Sequence, residues 1–170
     1  DYLNTVWQAA DGAFSLDLSG FDAGGIQQTF ATTPGVGYTV LFKIGSDGQG
    51  VPAGTIRTME VSGAGTTAQY TSNTTGHTHA NMGWTQQAFT FTATGAQTTL
   101  SFRSLNAGVA GPTLDDVRLS IGNVTTNEDT AVSVGGLSVS DIDAGANPVQ
   151  VTLSAEHGGV ALAAAAGVTL

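Results

Sequence analysis

The sequence predicts an all-β protein, a β-sandwich or jelly roll with a shorter β segment behind it. Three observations lead there. Apolar and polar residues alternate with a two-residue period along most of the chain, and Gly, Asn and Asp interrupt that alternation at short intervals. Helical periodicity is nowhere sustained, and the alanine run at 163–166 is too short to nucleate a helix.

The predicted strands run in order. Phe14, Leu16 and Leu18 share one face of a first strand, and Ile26 and Phe30 mark a second. Tyr38, Val40, Phe42 and Ile44 mark a third, ended by Gly45-Ser46-Asp47-Gly48, where Asp-Gly is expected to supply positive-φ turn residues. Residues 56–61 come next, then a Thr-rich strand around Tyr70. Phe89 with Phe91, Leu100 with Phe102, and Val117 with Leu119 and Ile121 complete the series. Beyond about residue 123 aromatic residues vanish, and short Val/Leu runs alternate with acidic turns. This places one domain at 1–121 and a second segment at 122–170. The second is about half as long as an immunoglobulin-like sandwich of about 100 residues, and its last residues, Gly167-Val168-Thr169-Leu170, fall within a strand-like pattern. The sequence therefore implies a second sandwich that is cut short or completed by another chain.

Composition narrows the function. The 170 residues suffice for one core, or for one domain and part of another. With no cysteine, disulfides and thiol chemistry are excluded. Only 10% of residues are charged, against about 25% in an average protein, and 13 acidic residues face four basic ones for a net charge of −9. Four basic residues cannot form the stripe that displaces counterions from nucleic acid, nor hold an anionic membrane surface. No stretch approaches the roughly 20 apolar residues of a membrane-spanning helix. A sparse acidic chain suits hard cations, calcium above all. The Thr-, Gly-, Ala- and Ser-rich, nearly Lys-free composition resembles that of large secreted bacterial surface proteins.

Longer motifs carry a resemblance. "DGAFSLDLSG" (11–20), "GGIQQTFATTPGVGYTVLFKIG" (24–45), "MGWTQQAFTFTATGAQTTLSF" (82–102) and "GPTLDDVRLS" (111–120) resemble, in order, the choice-of-anchor C type of bacterial extracellular domain, a galactose-binding-like jelly roll. That family usually opens with an "NGSFE"-like strand ahead of the tryptophan-containing segment. Here the chain opens on "DYLNTVW", so the resemblance implies that the first strand is missing. "NEDTAVSV" (127–134), "VSDIDAGA" (139–146) and "VTLSAEHGGVAL" (151–162) resemble cadherin-like or immunoglobulin-like repeats of large bacterial adhesins. Together they imply a jelly-roll β-sandwich followed by the N-terminal half of such a repeat, at the bacterial cell surface.

Several residues are candidates for a site. Asp115 has the parity of Val117 and Leu119 and is expected to face the core, where a lone carboxylate needs a partner. The resemblance implies a structural calcium near this last-strand position, with Asp115 and Asp116 as ligands and Asp11 and Asp17 as secondary ones; the alternative is a hydrogen bond or an ion pair with Arg103 or Arg118. A second acidic set, Glu128, Asp129, Asp141 and Asp143, has the oxygen-rich pattern of a calcium site at a domain joint, and also of ordinary turns. His77 and His79 form an H-x-H pair that could hold zinc or copper, though no third ligand is close and a solvated loop fits better. The same loop, with Asn81 and nearby Tyr70, is the expected place for sugar contacts, polar groups meeting hydroxyls while a ring stacks on a pyranose. Trp7 is a further candidate platform, whereas Trp84 lies in a framework motif and is expected in the core. There is no G-x-S-x-G elbow, phosphate loop or H-E-x-x-H, and enzyme activity is not expected.

Two functions emerge. One is a non-catalytic, calcium-stabilised adhesin module that binds glycan or extracellular matrix. The other is a subunit of an extracellular filament, sheath or surface layer, in which residues 149–153 or 159–162 of one copy add as a strand to the next.

Overall fold

The structure is a computed structural model of the chain, and it describes residues 6–122, 130–131 and 158–161. The chain divides into two units, Asp1–Leu137 and Ser138–Leu170, and every described strand belongs to the first. The second predicted segment lies almost wholly outside the described residues, as do Glu128, Asp129, Asp141, Asp143 and residues 149–153. Gly158, Gly159, Val160 and Ala161 are described, and they are exposed and form no strand.

All regular structure among the described residues is β: β1 (Leu16–Asp17), β2 (Gly25–Ala31), β3 (Gly37–Gly45), β4 (Ile56–Gly63), β5 (Thr66–Asn73), β6 (Thr85–Thr92), β7 (Gln97–Ser104) and β8 (Thr113–Ile121). They form two antiparallel four-stranded sheets, β1-β8-β3-β6 and β2-β7-β4-β5. Successive strands thus cross repeatedly from one sheet to the other, as a jelly roll requires. No helix among the described residues is long and apolar enough to cross a membrane, which says nothing of β-barrels.

The predicted alternation is realised most plainly in β3, where Tyr38, Val40, Phe42 and Ile44 are at most 3% exposed. They meet Met59 and Val61 of β4, Phe89 and Phe91 of β6, and Leu100 and Phe102 of β7 in one core. Phe42 is its hub, edge-on to Tyr70 at 5.0 Å and to Phe102 at 5.3 Å. Tyr38 stacks on Phe91 at 5.4 Å and spends its hydroxyl on the Thr33 amide. Each fully buried side chain of this size contributes about 1.5–3 kcal/mol of burial free energy.

Three expectations need correction. Phe14 lies outside any strand and is 61% exposed, because β1 is only two residues long. Gly48 has an ordinary φ; its glycine is needed because a Cβ there would overlap the His77 carbonyl oxygen. Asp115 points away from the core. The β3–β8 register shifts between Leu41 and Lys43, so Asp115 pairs with outward-facing Lys43 while Leu119 pairs with inward-facing Val40. The extra residue is Asp116, held at φ 51°, and a bulge of this kind reverses the side-chain parity of everything after it.

A tight hairpin joins β4 to β5 through Ala64 and Gly65, both with positive φ (49° and 80°). This matches the type I′ turn whose twist suits antiparallel strands. The outer face of the β2-β7-β4-β5 sheet is almost wholly hydroxyl and amide. Thr29 and Thr99 share a hydrogen bond of 2.7 Å there, and one ion pair, Arg103–Glu60 at 2.7 Å, supplies the charge. β8 is paired with β3 along one side, and among the described residues its other side meets a strand only where β1 reaches Thr113 and Leu114.

Candidate functional site: the loop end of the sandwich

The jelly-roll crossings gather four connections at one end: residues 18–24, 46–55, 74–84 and 105–112. Backbone and side-chain hydrogen bonds fasten them to each other. The Ser46 amide donates to the Met82 carbonyl (3.0 Å) and the Gln8 amide to the His79 carbonyl (2.8 Å). Asn106 accepts from the Thr58 amide (2.6 Å) and donates to the Ile56 carbonyl (3.1 Å). The Gly108 amide donates to Asp22 (2.9 Å), which joins the first loop to the last.

Phe21 and Val109, the sequence neighbours of Asp22 and Gly108, are 97% and 66% exposed. A ring this exposed leaves both of its faces free for stacking. The N–H groups of Gly108 and then Ala23 hold the Asp22 carboxyl below its ordinary value, so it stays ionised and keeps the loop fixed.

The residues singled out from sequence distribute unevenly over the molecule. His77 and His79 do lie at this end. The His77 ring nitrogen Nδ1 is 3.1 Å from both the hydroxyl and the carbonyl oxygen of Ser46, and His79 Nε2 is 2.9 Å from Asp47 Oδ2. Asn81 is exposed and bridges to Thr78. Tyr70 is partly buried against the core: its ring packs on Phe42, its hydroxyl donates to the Ala88 carbonyl (2.7 Å), and burial raises its pKa. Trp7 and Trp84 are half-buried, with their indole N–H groups donating to Ser15 (2.9 Å) and to the Gln8 carbonyl (3.0 Å).

Asp11, Asp115 and Asp116 come together on the outer face of the other sheet. Asp115 Oδ2 accepts from the amides of Ala10 (2.7 Å) and Asp11 (3.1 Å), and Oδ1 accepts from Asp116 (2.7 Å). Asp116 lies between Lys43 (3.3 Å) and Arg118 (2.5 Å), and Arg118 also reaches Asp11 (3.5 Å). Oxygens that face N–H donors and cations do not fit a calcium ion as arranged. Among the described residues no group of three or more His, Cys, Asp or Glu side chains is arranged to hold a metal ion. Asp17 stands apart, accepting from the Ser19 amide (2.8 Å); burial raises its carboxyl above the ordinary value, against the pull of hydrogen bonds from Ser19 and Gly111.

Sequence reasoning missed Phe21 and Arg57. Both carried a signal. Phe21 is an aromatic residue inside a turn, out of phase with Leu16 and Leu18, and Arg57 is a basic residue in phase with the core positions Met59 and Val61. At the opposite end, a shallow cavity of about 380 Å³ lies among Tyr38, Phe91 and several threonines. Its two rings are 3% and 4% exposed and offer no stacking face.

Residues 2–120 match the family described as "Protein of unknown function (DUF642)". No curated protein sequence matches the chain. Among solved structures, a family 35 carbohydrate-binding module from Clostridium thermocellum is similar at 16% identity and TM-score 0.48, over 68% of this chain and 83% of that one. A family 61 carbohydrate-binding module in complex with β-1,4-galactotriose is similar at 18% and 0.47, over 72% and 80%. A C-terminal domain described as a sugar-binding protein is similar at 14% and 0.47, over 68% and 84%. At such TM-scores these likenesses carry no argument about function.

Proposed function

Because the chain belongs to the DUF642 family, whose description names no activity, we propose a function from the loop end itself: a non-catalytic module that binds glycan there. One observation carries this reading, the 97% exposed Phe21 ring on a loop that Asp22 ties to Gly108. Such a ring can stack on a pyranose while the neighbouring Asp22 carboxylate meets a hydroxyl. The setting we propose is a secreted bacterial adhesin, supported by the composition and by the resemblances to choice-of-anchor C domains and adhesin repeats. Calcium is proposed for the joint set Glu128, Asp129, Asp141 and Asp143, which lies outside the described residues; it predicts a melting temperature that rises with calcium and falls with EDTA.

A glycan array probed with the full chain and with Phe21→Ala tests the main reading. Binding without turnover is expected, weakened at least tenfold by the substitution at unchanged melting temperature. No glycan bound by the wild-type chain, or equal binding by both proteins, overturns it.

A second reading, assembly of copies by strand addition, is favoured by the β8 edge. There Val117 and Leu119 face inward yet remain 45% and 44% exposed, and an added strand from a second copy would cover them. Sedimentation is expected to show concentration-dependent oligomers that Val117→Lys abolishes. A monomer at high concentration refutes it.

A further inference from the structure

Three of the four basic residues are paired at the surface: Lys43 and Arg118 with Asp116, and Arg103 with Glu60. The fourth, Arg57, is only 8% exposed. It occupies the second position of β4 and faces inward, in phase with Met59 and Val61, just where the inter-sheet layer passes from apolar to polar at the loop end. Its cross-strand partner is Ser72, whose hydroxyl is already committed to Ser46 at 2.8 Å. Ser104, paired with Met59 one inward position away, is committed to Ser19 at 2.8 Å. Both of these hydroxyls are therefore already partnered. Among the described residues no ion pair or hydrogen bond reaches Arg57, and its buried Nε has no partner. Asp17 is near enough to feel its charge but spends its carboxylate on the Ser19 and Gly111 amides.

A buried guanidinium nitrogen without a partner is costly, and the planar fork of donors matches a carboxylate. β4 pairs with β7, which leads into the loop that carries Asn106; Asn106 is bonded to the residues on either side of Arg57, Ile56 and Thr58, and Gly108 of the same loop is bonded to Asp22, next to Phe21 in sequence. We propose that Arg57 anchors an acidic glycan: the carboxylate of a uronate residue enters the loop end and is taken by the guanidinium. This rests on the glycan reading and names its ligand class. The acidic groups on these elements do not forbid it, since Asp17 and Asp22 each face two backbone N–H donors. Nor does the overall charge, because all four basic residues but only seven of the 13 acidic ones fall within residues 6–122.

The test titrates the full chain, in EDTA, with polygalacturonate, with its fully methyl-esterified form, and with neutral β-galactan. The acid form is expected to bind at least tenfold more tightly than the ester, less so as salt rises, and Arg57→Gln is expected to remove that preference. Arg57→Gln is also expected to melt at or above the wild-type temperature without ligand, because it removes the buried Nε that has no partner. Equal affinity for acid and ester overturns the inference, as does an Arg57→Gln variant that keeps the preference. Should the variant fail to fold, the wild-type acid-to-ester ratio decides alone. Binding of galactan without polygalacturonate overturns the uronate site and leaves the glycan reading standing; no binding of any glycan overturns both.

Discussion

Replacing Asp115 by Ala is expected to detach the N-terminal segment from the sandwich. The Asp115 carboxylate accepts three main-chain hydrogen bonds, at 2.7, 3.1 and 2.7 Å, from Ala10, Asp11 and Asp116. Two of those donors belong to the segment before β1, and the third belongs to the residue strained at φ 51°. Hydrogen bonds to a charged group are worth about 1.5–3 kcal/mol each when buried. Asp115 is only half-buried and Asp11 is exposed, so solvent replaces much of that, and the three together should be worth about 2–3 kcal/mol. For a domain of this size that lowers the melting temperature by about 8–12 °C. Circular dichroism measures the melt. Tryptophan fluorescence reports the segment, because Trp7 lies within it and Trp84 is bonded to its Gln8 carbonyl. Asp115→Asn, which keeps an acceptor without the charge, should fall between. A loss below about 0.5 kcal/mol would refute the clamp. So would an EDTA-induced fall in the wild-type melting temperature that Asp115→Ala abolishes, since the carboxylate would then be holding a metal.

Three further outcomes are expected. Phe42→Ala, which empties the contact point of Tyr70 and Phe102, should cost about 3–5 kcal/mol by denaturant titration; a cost under about 1 kcal/mol would mean that the core has collapsed around the gap. Ala64→Asn should stabilise by about 0.5–1 kcal/mol, because Asn tolerates the positive φ that the hairpin imposes on Ala64. Asp17→Asn should melt higher than wild type at pH 7 but not at pH 3. Burial raises the Asp17 carboxyl in the folded state, so folding is favoured while it is protonated and stability is lost as pH rises from its unfolded value of 3.8 through the higher folded one. A constant difference across that range would show that Asp17 titrates alike in both states.

Much of the fold was legible because period-two alternation is a direct consequence of strand geometry. Tyr38, Val40, Phe42 and Ile44 announced β3, and Phe89 with Phe91 announced β6, independently of any register. Asp115 was misjudged for a reason internal to the same rule: parity holds only while the ladder is regular, and Asp116 inserts one residue. The site was less legible. Its loops are remote in sequence, and the bonds that join them, such as Gly108 to Asp22 and Asn106 to Thr58, span 86 and 48 residues. Tyr70 illustrates the converse error, since a polar strand around an aromatic residue gives no hint that its ring is turned inward onto Phe42.

The hydroxyl-covered outer face of the β2-β7-β4-β5 sheet has a physical consequence of its own. Most proteins stay dispersed through like charges, a repulsion that salt screens beyond about 8 Å at physiological ionic strength. Thr29, Thr99, Ser101 and Gln27 instead hold water by neutral hydrogen bonds, with a single ion pair among them. Their hydration does not depend on counterions, so this face should remain as well solvated in brine as in fresh water.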